Sequence, residues 1–587
     1  MKKWYVKNSL INYNDIATKF NISPLMAKLL ANRDIAEDKL IMSFLNPTLK
    51  NLHDPKDMKD ISKAINIIKE KIHKGKKIRI IGDYDVDGVI STYILYVALK
   101  RCGAVVDYEI PDRIKDGYGI NLDIVTKSKE DKVDTIITCD NGIAAIDTIE
   151  QAKVMELTVI VTDHHDIPFE QDEDGNRTFI ESKADAIINP KQNNCGYEFK
   201  KLCGAAVALK FIEALYEEFN IEKNQWYKFI EFVAIATVCD VVDLVDENRV
   251  IVKKGLEMLN RTENLGLKAL IKISNIDNIK LTTYHLGFVI GPCINASGRL
   301  DNAKRGLRLL LSNSEEEARI LAKELYDLNQ ERKDMTAEGI EEALKIIEKD
   351  KLEGQKVLLI YIKNLHESLA GIVAGRIRER FNVPTIVLTR GENIIKGSGR
   401  SIEGYNMFEE LLKCKDLIVK FGGHPMAAGL SLEEHNIEPL RNMLNHITTL
   451  KDEDLIPRLN LDMQLPFQSI NYDLIKELEG MEPFGKGNSK PIFGERKIKA
   501  IRARVMGQNK NVLKLGLVSR NGIYIEGIYF SNIEEFDNVI TEKYGKEQLD
   551  NLYMGTDNNI YLDIAYYPNI NEFNGTKTLQ LVIEEIR

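Results

Sequence analysis

The 587-residue chain has no run approaching the ~20 consecutive apolar residues that cross a bilayer, so no membrane-spanning helix is expected. Met1-Lys2-Lys3-Trp4 leads into no apolar segment of the kind that directs export. Seven cysteines, an odd number, are scattered without a Cys-x-x-Cys spacing. That speaks against a disulfide framework and structural zinc, and for reduced thiols in the cytoplasm. An excess of positive charge is also missing. The net charge is −9, so no global basic field points to nucleic acid, although a local basic groove would suffice for such a substrate. The remaining composition, 44% apolar and 29% charged, is that of an ordinary soluble globular protein. The length asks for two to four domains.

What stands out is an acid-rich loop, Gly82-Asp83-Tyr84-Asp85-Val86-Asp87-Gly88. The short apolar run before it, Lys77 to Ile81, reads as a buried strand, and Val89 to Lys100 after it reads as a helix. Three carboxylates at alternate positions in such a turn repel one another. A divalent cation relieves this, since oxygen ligands suit Mg²⁺ and Mn²⁺; a solvated acidic turn is the plain alternative. Two more apolar runs end in similar chemistry. Thr135 to Cys139 runs into Asp140-Asn141-Gly142, and Thr158 to Thr162 into Asp163-His164-His165. Ligand sites of parallel α/β sheets lie beyond the carboxyl ends of the strands. Three strands would therefore deliver acids and imidazoles to one edge, a donor set that fits a two-metal hydrolytic centre. Asp240, which closes the apolar run from Phe232, is either a further metal carboxylate or a helix-end cap.

From about residue 56, strand alternating with helix predicts a mostly parallel sheet. The preceding residues, 1–55, read as a small helical segment with no assignable chemistry. Arg113 follows a strand-like run and precedes Asp116-Gly117-Tyr118-Gly119. It would either hold a phosphate in its bidentate fork or pair with Asp112. The polar stretch 170–182 reads as an exposed excursion. Residues 291–300 read as a loop of small residues, whose Arg299 suits a phosphodiester or a structural role. Glu315 to Lys349 reads as a long helix, either joining two lobes or lying within one. Residues 355–450 form a second α/β unit. In it, Ile395 to Ser401 reads as a glycine-rich turn whose Ser398 and Arg400 could cradle a phosphate, and Gly422 to Gly429 holds His424 between glycines. Short alternating runs near the C-terminus suggest a small barrel. Its aromatics and the cations Lys497, Arg502, Arg504, Lys510 and Lys514 could stack on and steer a single strand.

GDYDVDG, CDNG and DHH, in that order and at strand ends, resemble the motifs of the DHH phosphoesterase superfamily. GGHPMAAG at 422–429 resembles the DHH-associated domain. MEPFGKGN at 481–488, with SGRL at 297–300 and GSGRS at 397–401, resembles the single-strand-specific DNA exonucleases of that superfamily. The resemblance implies a DHH catalytic domain at 56–312, a connecting helix at 313–352, a DHH-associated domain at 353–452 and an OB-like nucleic-acid-binding barrel at 453–587. It implies one cation held by Asp83, Asp85 and Asp140, and a second by Asp87, Asp140, His164 and Asp240, with the two ions roughly 3.5–4 Å apart. His165 would contact the scissile phosphate or aid proton transfer, oriented by Asp163. Arg113, Ser398 and Arg400 would seat the terminal phosphate and Arg299 the strand, with His424 in the same phosphate-gripping lobe. The implied activity is Mn²⁺- or Mg²⁺-dependent removal of nucleotides from the 5′ end of single-stranded DNA in repair and recombination. The implied actor is a monomer served by a helicase and a single-strand-binding protein. Cys293 departs from the pattern, which leads one to expect an arginine there. A small-molecule phosphoesterase and a non-catalytic DNA-binding scaffold are the alternatives. The barrel favours a polymer, and the full set of acids speaks against a scaffold.

Overall fold

The computed structural model describes residues 2–117, 119–171, 177–180, 182–507, 510–530, 533–573 and 575–587. Tyr118 of the glycine-rich turn, and residues 172–176 and 181 of the excursion, lie outside the described residues. The chain forms two compact units, one spanning Thr48–Leu455 and one joining Met1–Pro47 to Ile456–Arg587.

The larger unit begins with a five-stranded parallel sheet. Its strands are β1 (Lys77–Ile81), β2 (Val105–Glu109), β3 (Thr135–Cys139), β4 (Thr158–Thr162) and β5 (Ala186–Ile188), in the spatial order β2-β1-β3-β4-β5. β3 is buried at all five positions, which is why it reads as a continuous apolar run rather than an alternating one. Ile81 pairs with Thr138, and Cys139 with Thr162. The carboxyl ends of β1, β3 and β4 are therefore level, and the loops that follow them emerge side by side. The order reverses between β1 and β3, the switch point at which doubly wound sheets bind ligands.

Helices cover this sheet. The Val86–Arg101 helix is buried nearly all round, with Gly204–Glu218 and Ile230–Cys239 in the same core. Residues 291–300, read as a loop, are instead the helix Gly291–Leu300, preceded by a π-turn at Leu286–Ile290. Its small residues serve packing rather than flexibility: a Cβ on Gly298 would fall 2.2 Å from the Tyr84 carbonyl oxygen. Pro292 follows the π-turn directly, and an inserted turn of that kind accommodates a residue with no N–H to give the helix ladder. The helix Glu315–Lys349 contributes Leu321, Ala322 and Leu325 to the first core, and Ala343 and Ile347 to that of the second lobe. It connects the two.

The second lobe carries β6 (Leu358–Tyr361), β7 (Thr385–Arg390), β8 (Ile395–Arg400), β9 (Lys420–His424) and β10 (Ala427–Leu432), ordered β9-β10-β8-β7-β6. The expected glycine-rich turn at 395–401 is thus largely the central strand β8. A Cβ at Gly397 would lie 2.4 Å from Leu388 Cδ2, so this glycine permits close packing. The amides of β8 are engaged in pairing with β7 and β10, which leaves side chains, not backbone, to meet a ligand. Ser398 and Arg400, two apart on a strand, share a face.

In the smaller unit, five strands close into a barrel: Phe493–Met506, Val512–Val518, Tyr524–Tyr529, Thr576–Ile586 and Tyr561–Phe573, the last pairing back to the first. Two helices, Ile533–Tyr544 and Lys546–Met554, interrupt it without a clear advance signal. Of the segment 1–55 that the sequence sets apart, residues 2–47 share this unit's core, where Leu29, Leu30 and Phe44 join Phe493 and Leu562, while 48–55 belong to the larger unit. Ser23 Oγ donates to Glu477 Oε2 at 2.7 Å, and the buried Arg33 lies 3.2 Å from Asp462.

Candidate metal centre and phosphate site

Each candidate donor is fixed by the local backbone. Asp85 caps the Val86–Arg101 helix, its Oδ1 accepting from the Gly88 amide at 3.0 Å. Gly88 must be glycine, since a Cβ would lie 2.5 Å from the Asp83 carbonyl oxygen. Asp87, in the first turn of the helix, accepts from the Gly204 and Ala205 amides at 2.6 and 2.8 Å. Those amides are the positive end of the Gly204–Glu218 helix, a natural seat for a carboxylate. Asp140 follows β3 with φ of 60°, a conformation that Asp tolerates better than most residues. Asp240 is the C-cap of Ile230–Cys239.

The loops bring these groups together. Ligand atoms of Asp83, Asp85 and Asp140 lie within 4.8 Å of one another, as do those of Asp87, His164 and Asp240, and those of Asp140, His164 and His165. His164 Nε2 is 3.1 Å from Asp140 Oδ1 and 3.7 Å from an oxygen of both Asp87 and Asp240. Burial, and then neighbouring carboxylates, push Asp83 and Asp140 well above the ordinary carboxylate range. The same causes raise Asp87 to about 6 and Asp240 to about 8. Burial and the adjacent His165 push His164 down to about 3, so its imidazole is neutral and offers a lone pair. Asp83 Oδ1 and His164 Nε2 are buried without a hydrogen-bond partner among the described residues. Crowded oxygen and imidazole donors, with such orphaned atoms among them, suit divalent cations.

Asp163 stands apart from this donor set. Its Oδ2 accepts from the Ile143 amide at 2.9 Å. Its Oδ1 accepts from the His164 and His165 amides at 2.7 and 3.1 Å, and lies 2.7 Å from His165 Nδ1. Burial opposes a charge on His165, but the bond to Asp163 together with the charges of Asp163, Asp240 and Asp87 outweighs it and raises the imidazole to about 9. Asp163 is therefore a positioning residue, and it keeps His165 cationic, with Nε2 on the ring edge away from that bond. Asn189 Nδ2 fixes the His165 carbonyl at 2.9 Å.

The candidate phosphate ligands form a second cluster. Arg113 stacks over Tyr84, 4.8 Å from the ring centroid. Arg400 donates to Ser398 Oγ at 3.1 Å and to the Gly399 carbonyl at 2.8 Å. Arg299 donates to the Ser368 carbonyl at 2.9 Å, across to the second lobe. Burial first, then Arg113, lowers both Arg299, to about 10, and Arg400. One guanidinium that depresses two others asks for an anion among them. His424 is exposed at the end of β9, level with Arg400 two strands away, since both pair with Ala427 of β10. Its charge, after the Lys191 bond, helps hold Asp166 down. Cys293 is buried, its Sγ accepting from Asn329 Nδ2 at 3.4 Å. The same Asn329 holds Arg332 through Oδ1 at 3.1 and 2.9 Å.

Several positioning groups escape sequence reasoning. The Gly204 and Ala205 amides carry no side-chain signature. Asn295 Oδ1 accepts from the Val86 amide at 3.1 Å, and nothing near it in sequence is acidic. Asn141, by contrast, sits in the quoted CDNG motif and ties Ile120 to Ile81.

The comparisons fall along the same plan. Family models match residues 77–237 (DHH family, N-terminal domain), 354–449 (DHHA1 domain) and 461–585 (RecJ OB domain). The single-stranded-DNA-specific exonuclease RecJ of Bacillus subtilis (strain 168) is 38% identical over 85% of this chain, which spans only 62% of that relative. The protein of the same name from Haemophilus influenzae is 34% identical over 86% of this chain and 89% of its own length. A crystal structure of RecJ from Thermus thermophilus in complex with Mn²⁺ superposes with a TM-score of 0.81, covering 100% of this chain and 79% of that one. At 24% identity that likeness is one of fold. Three domain matches in the same order, and a third of residues shared along nearly the full length of the Haemophilus protein, mean that this chain belongs to the RecJ family.

Proposed function

We propose that the chain is a divalent-cation-dependent exonuclease that removes nucleotides from the 5′ end of single-stranded DNA. The observation that carries this reading is the pairing of two clusters in one unit: crowded buried acids around His164, and Arg299 and Arg400 converging on Arg113. Asp83, Asp85 and Asp140 would hold one Mn²⁺ or Mg²⁺ ion, and Asp87, Asp140, His164 and Asp240 the other. When bound, the ions supply Lewis acidity and charge neutralisation at the scissile phosphate. Arg113, Ser398 and Arg400 seat the terminal phosphate, so the chain end fixes which bond is presented for cleavage. Arg299 holds the strand beside them. His165, kept cationic and oriented by Asp163, faces the scissile group through Nε2, donating a hydrogen bond or a proton. His424, at the open rim, would meet a more distant phosphate. Among the described residues no helix is long and apolar enough to cross a membrane. A cytoplasmic monomer acting in repair and recombination, with a helicase and a single-strand-binding protein supplying its substrate, completes the proposal.

End-labelled single-stranded DNA, duplex DNA and RNA, incubated with Mn²⁺ and then with chelator, test it. The expected result is release of 5′ label as small products from single-stranded DNA alone, stopped by chelation. Degradation that persists after chelation, or internal cutting, would overturn it. Gly204→Ala tests the ligand assignment separately. Its Cβ would fall 2.7 Å from both Cβ and Oδ1 of Asp140. Mn²⁺ affinity measured by calorimetry is expected to drop about 10–100-fold, the usual effect of disturbing groups around metal ligands. Unchanged affinity would remove Asp140 from the ligand set.

A further inference from the structure

A stacked aromatic pair lines a surface groove that also holds Asn295 and Arg299. Tyr284 and Phe288 are 61% and 63% exposed. Their rings nonetheless stack, with centroids 5.2 Å apart and planes inclined by 26°. Large aromatics that exposed are costly in water unless something covers them. The π-turn holds Phe288 there, burying Leu286 and Ile290 while Phe288 faces out, and Tyr284 lies in the helical turn just before it. Such turns cluster at functional positions.

The groove beneath the pair is lined by Pro292, Asn295, Arg299, Arg332, Lys333 and Arg376, and no carboxylate lines it among the described residues. In a chain of net charge −9, four cations in one groove are a local exception, although one of them, Arg376, pairs with Glu379 at 3.0 Å. The groove also has a direction. Asn295 touches the acid-rich loop through the Val86 amide. Arg299 lies among the phosphate-seating arginines. Phe288 and Tyr284 lie about two and three turns back from Asn295 along the same helical run.

We propose that Tyr284 and Phe288 form a base-stacking platform, a nucleobase subsite that holds the single strand several nucleotides behind the cleaved end. This deepens the nuclease reading and rests on it. Aromatic faces accept any base without reading its edge, and flanking cations track the backbone, which is how sequence-indifferent single-strand binding is built. The distance from Arg299 to Phe288, eleven residues of helix, is about 16 Å at 1.5 Å per residue. That corresponds to about five nucleotides at the ~3.4 Å stacked spacing. Strands too short to span it would bind through the arginine cluster alone.

The test scans 2-aminopurine along a 12-nucleotide strand, bound to the full chain in chelator so that nothing is cut. Wild-type protein is expected to quench the probe most strongly about five nucleotides from the seated end. In Tyr284→Leu/Phe288→Leu, which keeps apolar bulk without a ring, that maximum is expected to vanish. Affinity for the 12-mer is expected to fall at least about tenfold, while affinity for a 3-mer stays unchanged. Tyr284→Phe/Phe288→Tyr is expected to retain both quenching and affinity. Unaltered quenching in the leucine variant would overturn the platform while leaving the nuclease reading standing. Equal weakening of the 3-mer and the 12-mer would also overturn it, since the pair would then act on the fold or the end site. Wild-type protein that binds no single-stranded DNA would overturn both readings.

Discussion

Asp140→Asn is expected to lower phosphodiester hydrolysis by about 10³-fold or more, leave single-strand binding nearly intact, and raise the thermal stability of the metal-free protein. Asp140 belongs to two of the three donor groups, so losing its charge weakens both proposed cation positions at once. Removing a single preorganised electrostatic contact commonly costs about 10²–10³ in rate, and a shared ligand should exceed that. Asn preserves the shape and tolerates the left-handed backbone at this position, φ of 60°, so folding is not confounded. The stability half of the expectation follows from the environment. Burial and four neighbouring acids push Asp140 far above its ordinary value, which means that its ionised form strains the empty site. A neutral amide relieves that strain. Single-turnover kinetics, a binding titration in chelator and a melting curve read the three effects. Full activity would remove Asp140 from the metal site. Lost activity with a lowered melting temperature would point instead to simple damage to the fold.

The half of the fold that carries the acid cluster is legible for one physical reason. Strands buried on both faces of a parallel sheet are unbroken apolar runs, and polar residues at their carboxyl ends stand out against them. Asp83, Asp140 and Asp163 were visible in this way before any geometry, as was Glu315–Lys349 through its helical spacing. Glycine misled where it served packing. Gly298 and Gly397 read as loop and turn signals, yet each lies in regular structure, where it admits the Tyr84 carbonyl oxygen or the Leu388 side chain. Backbone donors left no trace at all: Gly204 and Ala205 hold Asp87 through amides that nearly every residue type carries. Convergence over long separations was equally hidden. Nothing local to Arg113 or Arg400 says that one guanidinium depresses the other. Likewise, nothing near Phe44 says that it packs in a barrel core with Phe493.

Removing divalent ions is expected to destabilise the protein increasingly as pH rises from about 6.5 to 8.5. Asp240 has its folded value raised to about 8, while Asp83 and Asp140 stand well above the carboxylate range. A raised folded value means that the folded, metal-free protein holds protons which the unfolded chain has already released. The stability these groups contribute is fully present below about pH 4 and is lost as pH rises through their folded values. Asp87, raised to about 6, loses its share earlier. His164 runs the other way. Its value, lowered to about 3, favours the folded state above pH 6.5 and opposes it as pH falls. Below 6.5 the two effects compete; above it the acids act together with His165, whose value raised to about 9 costs stability from pH 6.5 up to that value. Bound cations neutralise the ionised carboxylates and compete better for them as protons leave. The melting temperature with Mn²⁺ should therefore fall less steeply over this window than that in chelator, since the His165 contribution is common to both, and the gap should widen with each half-unit of pH. A gap that stays constant would mean that these carboxylates do not carry the ions. In Asp140→Asn the fall in chelator should be shallower than in wild type, because one of the groups whose ionisation drives it is gone.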